Sequence, residues 1–440
     1  MKPTVIYNPK CERIARDELA QLQIEKLQST LNRVYRNVDF YRTAFDAHRV
    51  NLETVKDLAR LAELPFTTRQ NLQSSYPYDM FAMPLRDIVR IHSATGTTGA
   101  PIVAGYTRND LRNWSECTAR LLAAAGVSEH DVVQIALNYS LYPGTFGFHQ
   151  GVEHLGASVI PASLSTSVEK QIVIMRDFKT TVLISTPSHA VTLAAGLEAL
   201  RVHPERLQLR LGIFGGEPLN ESRRQQLQQR LRLSATAMYS INEILGPGVA
   251  GECGEHNGLH INEDHFIVEI VDPVSLRAVK PGDEGELVLT TLTHEGSPLI
   301  RYRTGDRTRI CPEPCPCGRT FLRMANVTAR TDDMIFFQGM GIFPSQIEQI
   351  LYEVDTTRPD YQIVLDQEAG QDTMELRVSI SDKVQSLDQL KTLENLRKDI
   401  ARRITTVFDV VMRVTFVEPQ TLQQAGNNAR VWDKRLDARP

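Results

Sequence analysis

Between about residues 130 and 240, short apolar runs alternate with polar, helix-prone stretches, and no other feature of this chain constrains its fold as strongly. Residues 132–137, 158–162, 182–185, 211–214 and 236–239 read as strands; 169–178 and 220–233 read as helices between them. Repeated strand–helix–strand units predict an α/β fold with a parallel, helix-covered sheet. Ligands of such sheets gather beyond the carboxyl ends of the strands. Gly215-Gly216-Glu217-Pro218 and Tyr239-Ser240-Ile241-Asn242-Glu243 both follow predicted strands, so they are expected to line one crevice.

A chain of 440 residues needs two or three domains. Leu19, Leu22, Leu27, Leu31 and Val34 recur at helical spacing, which predicts an amphipathic helix over about 13–37 within a helical region 1–75. Pro65, Pro77 and Pro84 then punctuate an irregular stretch. Residues 266–271 and 286–292 predict strands of a β-rich subdomain at about 245–328.

Ser93-Ala94-Thr95-Gly96-Thr97-Thr98-Gly99-Ala100-Pro101 packs hydroxyls and glycines densely enough to bend around a polyanion. Its N–H groups and hydroxyls can surround phosphate oxygens. It is not the Gly-x-x-x-x-Gly-Lys-Ser/Thr loop, because Ala100 stands where the lysine belongs.

Charge and cysteine usage exclude several classes. A net charge of −4 offers no basic stripe for nucleic acid. No run approaches the about 18 apolar residues of a membrane span, and the N-terminus lacks the apolar core of a signal peptide. A cytoplasmic protein is expected. Cys11 and Cys117 stand alone, whereas Cys311, Cys315 and Cys317 cluster, which in such a protein suggests metal rather than disulfides. Cys315 and Cys317, joined by Cys253 and His260, are the expected ligands of one structural Zn²⁺, with His256 and Cys311 in reserve.

The phosphate loop, Tyr239–Glu243, Tyr302-Arg303-Thr304-Gly305-Asp306 and Ala329-Arg330-Thr331-Asp332-Asp333-Met334, in this order, resemble the adenylate-forming (acyl-CoA synthetase) superfamily. Gly105-Tyr106-Thr107, Gly258-Leu259-His260-Ile261, Pro298-Leu299-Ile300-Arg301-Tyr302-Arg303 and Phe343-Pro344-Ser345-Gln346-Ile347-Glu348 are similar to its phenylacetate-CoA ligase branch. The resemblance covers nearly the whole chain. It implies a large adenylate-forming domain over 76–331, a hinge at Asp332 and a small, mobile α+β domain over 333–440. It also implies ATP-dependent conversion of an aryl or arylacetic carboxylate to acyl-AMP, then transfer to coenzyme A. The expected partners are that small carboxylate, ATP and coenzyme A, with no nucleic acid or membrane and a homodimer left open.

The resemblance also assigns roles. Asp306 would accept the ribose hydroxyls, and Glu243 would hold Mg²⁺. Tyr239 with Gly216, Glu217 and Pro218 would form the adenine slot. Ser93, Thr95, Gly96, Thr97, Thr98, Gly99, Ser240 and Asn242 would meet phosphate, and Arg330 phosphate or ribose oxygens. Tyr139, Phe146 and Phe148, beside Tyr142 within 138–150, are candidates for the acyl pocket.

Two departures stand out. The family usually carries a lysine after the loop's last glycine, where this chain has Ala100. Its C-terminal Ser-Glu-Gly-Lys-Ala-x-Arg-Val reads here as Gln424-Ala425-Gly426-Asn427-Asn428-Ala429-Arg430-Val431, which puts Asn427 at the catalytic lysine position. Lys434 lies seven residues on. A working ligase whose cation comes from elsewhere is the main reading. The alternatives are an adenylation-impaired homologue that handles a pre-activated acyl group or a different acceptor, and a non-catalytic nucleotide-binding protein.

Overall fold

The computed structural model of the chain describes residues 5–94, 101–140, 143–332, 334–354, 360–368, 371–379, 387–418, 421–422 and 430–437. Two compact units divide it, Met1–Asp332 and Asp333–Pro440.

In the first unit β1 (Arg90–Ala94) and β2 (Ile102–Tyr106) form an antiparallel hairpin. The large sheet follows with β3 (Val132–Ala136), β4 (Ser158–Pro161), β5 (Val182–Ser185), β6 (Leu211–Phe214) and β7 (Ser234–Ile241), parallel in the order β4-β3-β5-β6-β7. Val133, Ile135, Leu183, Ile184 and Ile213 are all buried, as strands covered on both faces require.

β8 (Gly246–Glu252) and β9 (Leu259–Ile261) extend the same sheet antiparallel. β10 (Phe266–Val271), β11 (Gly285–Thr291) and β12 (Tyr302–Thr308) make a second, antiparallel sheet. β13 (Ile310–Cys311) and β14 (Arg323–Met324) return to the large sheet through β9, and β15 (Ala329–Arg330) joins the second through β12. The β-rich stretch is therefore shared between two sheets.

The helices preceding the sheets are α1 (Pro9–Glu12), α2 (Arg16–Asn37), α3 (Asp39–Ala47) and α4 (Arg69–Ser74). On α2 the buried stripe is Leu19, Gln23, Leu27, Thr30, Leu31 and Val34, while Leu22 is only half-buried. Gln23 and Thr30 are polar yet buried because they donate to backbone: the Gln23 amide to Glu263 O at 2.8 Å, the Thr30 hydroxyl to Leu292 O at 3.1 Å. Hydrophobic spacing alone cannot register such partners.

α5 (Arg108–Ala125) starts at a Thr107 capping box and packs against α6 (Pro143–Leu155). α7 (Val168–Asp177), α8 (Pro187–Ala199) and α9 (Glu221–Leu231) complete the crossovers. Among the described residues, no helix is long and apolar enough to cross a membrane.

The second unit holds a hairpin, β16 (Ile335–Phe337) and β17 (Met340–Ile342). It adds a four-stranded mixed sheet of β18 (Tyr361–Glu368), β19 (Gln371–Ser379), β20 (Arg413–Val417) and β21 (Val431–Asp433). Helices α10 (Pro344–Val354) and α11 (Leu387–Phe408) contribute Ile347, Ile404 and Phe408 to its core, beside Ile363 and Leu376 of the sheet.

Candidate functional site

Parallel pairing sets Phe214 of β6 opposite Ala237 of β7, so both strands run toward the same edge of the large sheet. Gly215, Gly216, Glu217 and Pro218 follow β6; Tyr239 and Ser240 lie just before the last residue of β7, and Asn242 and Glu243 turn into β8. The two segments expected to share a crevice thus leave adjacent strands at one edge. The Glu217 carboxylate accepts from the Ser188 backbone N–H at 3.0 Å and hydroxyl at 2.8 Å. That seats it at the N-terminal end of α8, where the helix dipole favours an anion.

Asp306 on β12 is only 4 % exposed. Its Oδ2 accepts from the Tyr239 hydroxyl at 2.6 Å, and its Oδ1 from Arg330 Nη1. Arg330 is the cross-strand partner of Asp306 on β15. Its guanidinium also donates to both Asp332 oxygens, at 2.6 and 2.7 Å, and to Thr304 O at 2.9 Å. Gly305 has φ +77°, and a Cβ there would fall 2.5 Å from Arg330 Nη2 and 2.9 Å from Asp332 Oδ2. Only glycine serves both the turn and the close approach.

Burial pushes the Asp306 carboxyl above its ordinary range, with Arg330 pulling the other way. Burial opposes the charge on Arg330, but Asp332 and Asp306 outweigh it and raise its pKa. Burial and the neighbouring carboxylate raise Tyr239, so its phenol stays neutral and donates.

Glu243 accepts from Arg69 Nη1 at 2.5 Å, and its side chain is 9 % exposed. Arg69 opens α4 behind the N-cap Thr68, which forms a capping box with Asn71. Just upstream, Thr67 N donates to Arg301 O at 3.1 Å and Thr67 O accepts from Arg303 N at 2.9 Å. The start of α4 is thereby fixed to the strand that carries Asp306. Arg69 lies 174 residues before Glu243, and nothing in its own neighbourhood marked it.

Ser93 on β1 pairs with Val103. Thr95, Gly96, Thr97, Thr98, Gly99, Ala100, Tyr142 and Asn427 lie outside the described residues. Phe146 meets Tyr139 edge-on at 5.7 Å and the His92 ring at 5.5 Å, with the Arg90 guanidinium 5.6 Å from its centroid. Phe148 is 2 % exposed and packs in the sheet core with Val133, Ile184 and Met238. Tyr139 and Phe146 therefore form an aromatic wall to which Phe148 adds no open surface. His92, buried among Tyr106, Trp114 and Phe146, was missed because a lone histidine before a loop carries no sequence signal.

The structure also gathers Cys253, His260, Cys315 and Cys317, all buried, with their donor atoms within 4.8 Å of one another. Cys253 follows β8, His260 lies on β9, and the two other thiols come from the loop between β13 and β14. Cys253 Sγ lies 3.7 Å from Cys315 Sγ, and Cys317 Sγ 3.4 Å from His260 Nε2. The reserve candidates fall elsewhere: His256 sits by Arg224 and Glu252, and Cys311 on β13 is outside the group.

Comparison with known proteins accords with this geometry. The family profile described as AMP-binding enzyme matches residues 45–292, and that of the AMP-binding enzyme C-terminal domain residues 339–435. The chain is 39 % identical over 427 residues to a phenylacetate-coenzyme A ligase of Aromatoleum evansii, covering 96 % of each protein. A phenylacetate-coenzyme A ligase of Escherichia coli K12 is 38 % identical, with 95 % of each covered. A solved 2-hydroxyisobutyryl-CoA ligase, in complex with 2-HIB-AMP and CoA, superposes with a TM-score of 0.89 at 26 % identity, covering 97 % of this chain and 91 % of that one. The chain belongs to the phenylacetate-coenzyme A ligase family of AMP-binding enzymes.

Proposed function

We propose that the protein is an AMP-forming aryl-CoA ligase that activates an aryl or arylacetic carboxylate and passes it to coenzyme A. The observation that carries this reading is the buried Asp306 carboxylate, held by Tyr239 and Arg330 beside the strand-end crevice. In the first half-reaction an oxygen of the acid attacks the α-phosphorus of ATP. The bond from that phosphorus to the bridging oxygen breaks, and pyrophosphate leaves with the electron pair. In the second, the coenzyme A thiolate adds to the acyl carbon and AMP departs with the electrons of the broken C–O bond.

The residues divide these tasks. Asp306 accepts the two ribose hydroxyls, and the ring of Tyr239 covers adenine against Gly216, Glu217 and Pro218. Ser93, Ser240, Asn242 and Arg330 meet phosphate or ribose oxygens, while Tyr139 and Phe146 flank the aryl group. Glu243 is the hard oxygen donor suited to Mg²⁺, which when bound neutralises phosphate charge. Retention of Asp306, Glu243 and Arg330 together disfavours a mere nucleotide-binding scaffold. The test is ATP–pyrophosphate exchange with phenylacetate, benzoate and an aliphatic acid, followed by mass spectrometry of the coenzyme A ester. No exchange with any aryl acid would overturn the reading.

The three thiols and one imidazole fit a closed tetrahedral Zn²⁺ site, the borderline-soft donor set that zinc prefers. Protein purified without added zinc should hold close to one equivalent. Cys317→Ala should lower both zinc content and melting temperature, the latter by about 5 °C or more. A metal-free preparation that melts normally would sink the idea.

Asp332 ends the first unit and is proposed as the hinge. Asp332→Pro should impair one half-reaction more than the other, because proline fixes the backbone there. Asp332→Asn serves as control, since the carboxylate also binds Arg330. Equal loss in both halves would count against a hinge.

A further inference from the structure

Gly105-Tyr106-Thr107, one of the segments that mark the family branch, closes β2 and caps α5. Tyr106 at its centre is fully buried, yet it is a phenol where phenylalanine would fill the same space. Its hydroxyl donates to the Ile244 carbonyl at 2.9 Å, 138 residues along the chain. Ile244 follows Glu243 directly, in the turn between β7 and β8. A phenol is at home in a core only where its hydroxyl finds such a partner. Burial, with the Asp110 and Glu243 carboxylates nearby, pushes the phenol far above its ordinary range, so it remains a donor.

The ring itself is held in place. Tyr106 stacks on Trp114 at 5.1 Å and 24°, and on His294 at 5.0 Å and 20°. His294 Nε2 donates to Gly105 O at 3.1 Å, which ties that ring to the same strand. Trp114 Nε1 and the Thr118 hydroxyl, both on α5, donate to Pro247 O at 2.5 and 2.9 Å. The indole also packs on the exit of the turn, where a Cβ on Gly246 would fall 3.1 Å from Trp114 Cζ2. Donors from β2 and α5 thus grip the backbone on one side of Glu243, while Arg69 grips its carboxylate. A carboxylate that serves a metal works only when its supporting shell fixes it, since a misplaced oxygen forfeits coordination.

We infer, on the strength of the metal role read for Glu243 above, that Tyr106 is a positioning residue of adenylation. Its hydroxyl, with the Trp114 indole beside it, sets the turn that presents Glu243 to Mg²⁺. Adenylation handles a triphosphate together with its metal, whereas the coenzyme A half-reaction has no triphosphate and makes no such demand. The effect of Tyr106 is therefore on magnesium affinity in the first half-reaction. A hydroxyl that served folding alone would instead support both halves alike and leave magnesium affinity untouched.

Tyr106→Phe in the full chain deletes one oxygen and keeps the stacked ring. The magnesium concentration for half-maximal ATP–pyrophosphate exchange should rise about tenfold. Turnover of synthetic acyl-adenylate with coenzyme A should stay within about threefold of wild type. Calorimetry of α,β-methylene-ATP, with magnesium and in excess chelator, reads the same effect without turnover. The gain in affinity that magnesium brings should shrink about tenfold, and the affinity in chelator should hold within about threefold. Trp114→Phe removes the indole donor and should shift the magnesium constant the same way, by less, because Thr118 still donates to Pro247 O. It carries the comparison if Tyr106→Phe folds poorly. Glu243→Gln is the reference and should abolish the magnesium gain. An unchanged gain in Tyr106→Phe beside its loss in Glu243→Gln overturns the role of Tyr106 alone, as does equal loss in both half-reactions at an unchanged magnesium constant. A full gain in Glu243→Gln overturns the metal role of Glu243, and this inference with it.

Discussion

Asp306→Asn should lower ATP–pyrophosphate exchange by about 10³-fold and weaken AMP binding to a similar degree, in a chain that still folds. The substitution keeps the shape and removes the charge. In the present structure both carboxylate oxygens are occupied, one by Tyr239 and one by Arg330. An amide offers one acceptor where the carboxylate offers two, and its N–H₂ must face a donor on Arg330 or Tyr239. Two ribose hydroxyls then compete for a single oxygen. A hydrogen bond to a charged group is worth about 1.5–3 kcal/mol, and the amide forfeits one while leaving the other without its charge, which together account for the expected loss. Removing one partner of a buried ion pair costs about 3–5 kcal/mol when the other charge is stranded. Here Arg330 keeps both oxygens of Asp332, so the melting temperature should fall only modestly.

The pH dependence adds a second readout. Burial holds the Asp306 pKa above that of an ordinary aspartate. The ionised form is the one proposed to accept both ribose hydroxyls, and it is lost as pH falls through that raised pKa. Nucleotide affinity of the wild type should therefore begin to drop at a higher pH than an exposed aspartate would dictate, and Asp306→Asn should flatten the profile. Calorimetry with AMP from neutral to acid pH would measure it. Unchanged AMP affinity in the variant would remove Asp306 from ribose recognition.

What the sequence disclosed and what it hid follow from contact range. The five parallel strands came from local apolar runs, and the structure has them at 132–136, 158–161, 182–185, 211–214 and 234–241. Tyr239, Asp306 and Arg330 were legible because each sits in a short motif, and the structure joins them by hydrogen bonds. Arg69 was not legible, since only the docking of α4 on β12 brings it to Glu243. Phe148 had the right residue type for a pocket wall, yet the alternating faces of α6 turn it into the sheet core. The continuation of the large sheet through β8, β9, β14 and β13 was also hidden, because strand order across a crossover leaves no local trace. The Cys/His group was readable from the sequence, His260 ahead of His256 included, and the pairing of β9 with β14 is what carries His260 to the three thiols.

Asn427→Lys should raise adenylation by about one to three orders of magnitude, which is the charge-assisted contact that Asn withholds. The proposal that this position is the family's lysine rests on Gly426, Arg430 and Val431, which fix the motif's register. Downstream the segment is anchored: Val431 pairs with Ile363 of β18, and Arg430 Nη1 donates to Glu348 at 3.0 Å. Lys434, the other cation near the motif, is committed elsewhere. Its Nζ lies 2.7 Å from Asp366 Oδ2 and 4.7 Å from the centre of the Trp432 ring. Losing that pair to serve the motif would leave Asp366, whose pKa the Lys434 contact depresses, without its first stabilising partner. The wild type should consequently bind ATP yet adenylate slowly, and should turn over synthetic acyl-adenylate with coenzyme A faster than carboxylate with ATP. Asn427→Lys should close that gap, whereas Lys434→Ala should leave the wild-type adenylation rate within about threefold. Single-turnover formation of acyl-AMP, measured by quenched flow beside the coenzyme A half-reaction, distinguishes the cases. Adenylation already as fast as thioester formation in the wild type, with no gain in Asn427→Lys, would make position 427 irrelevant.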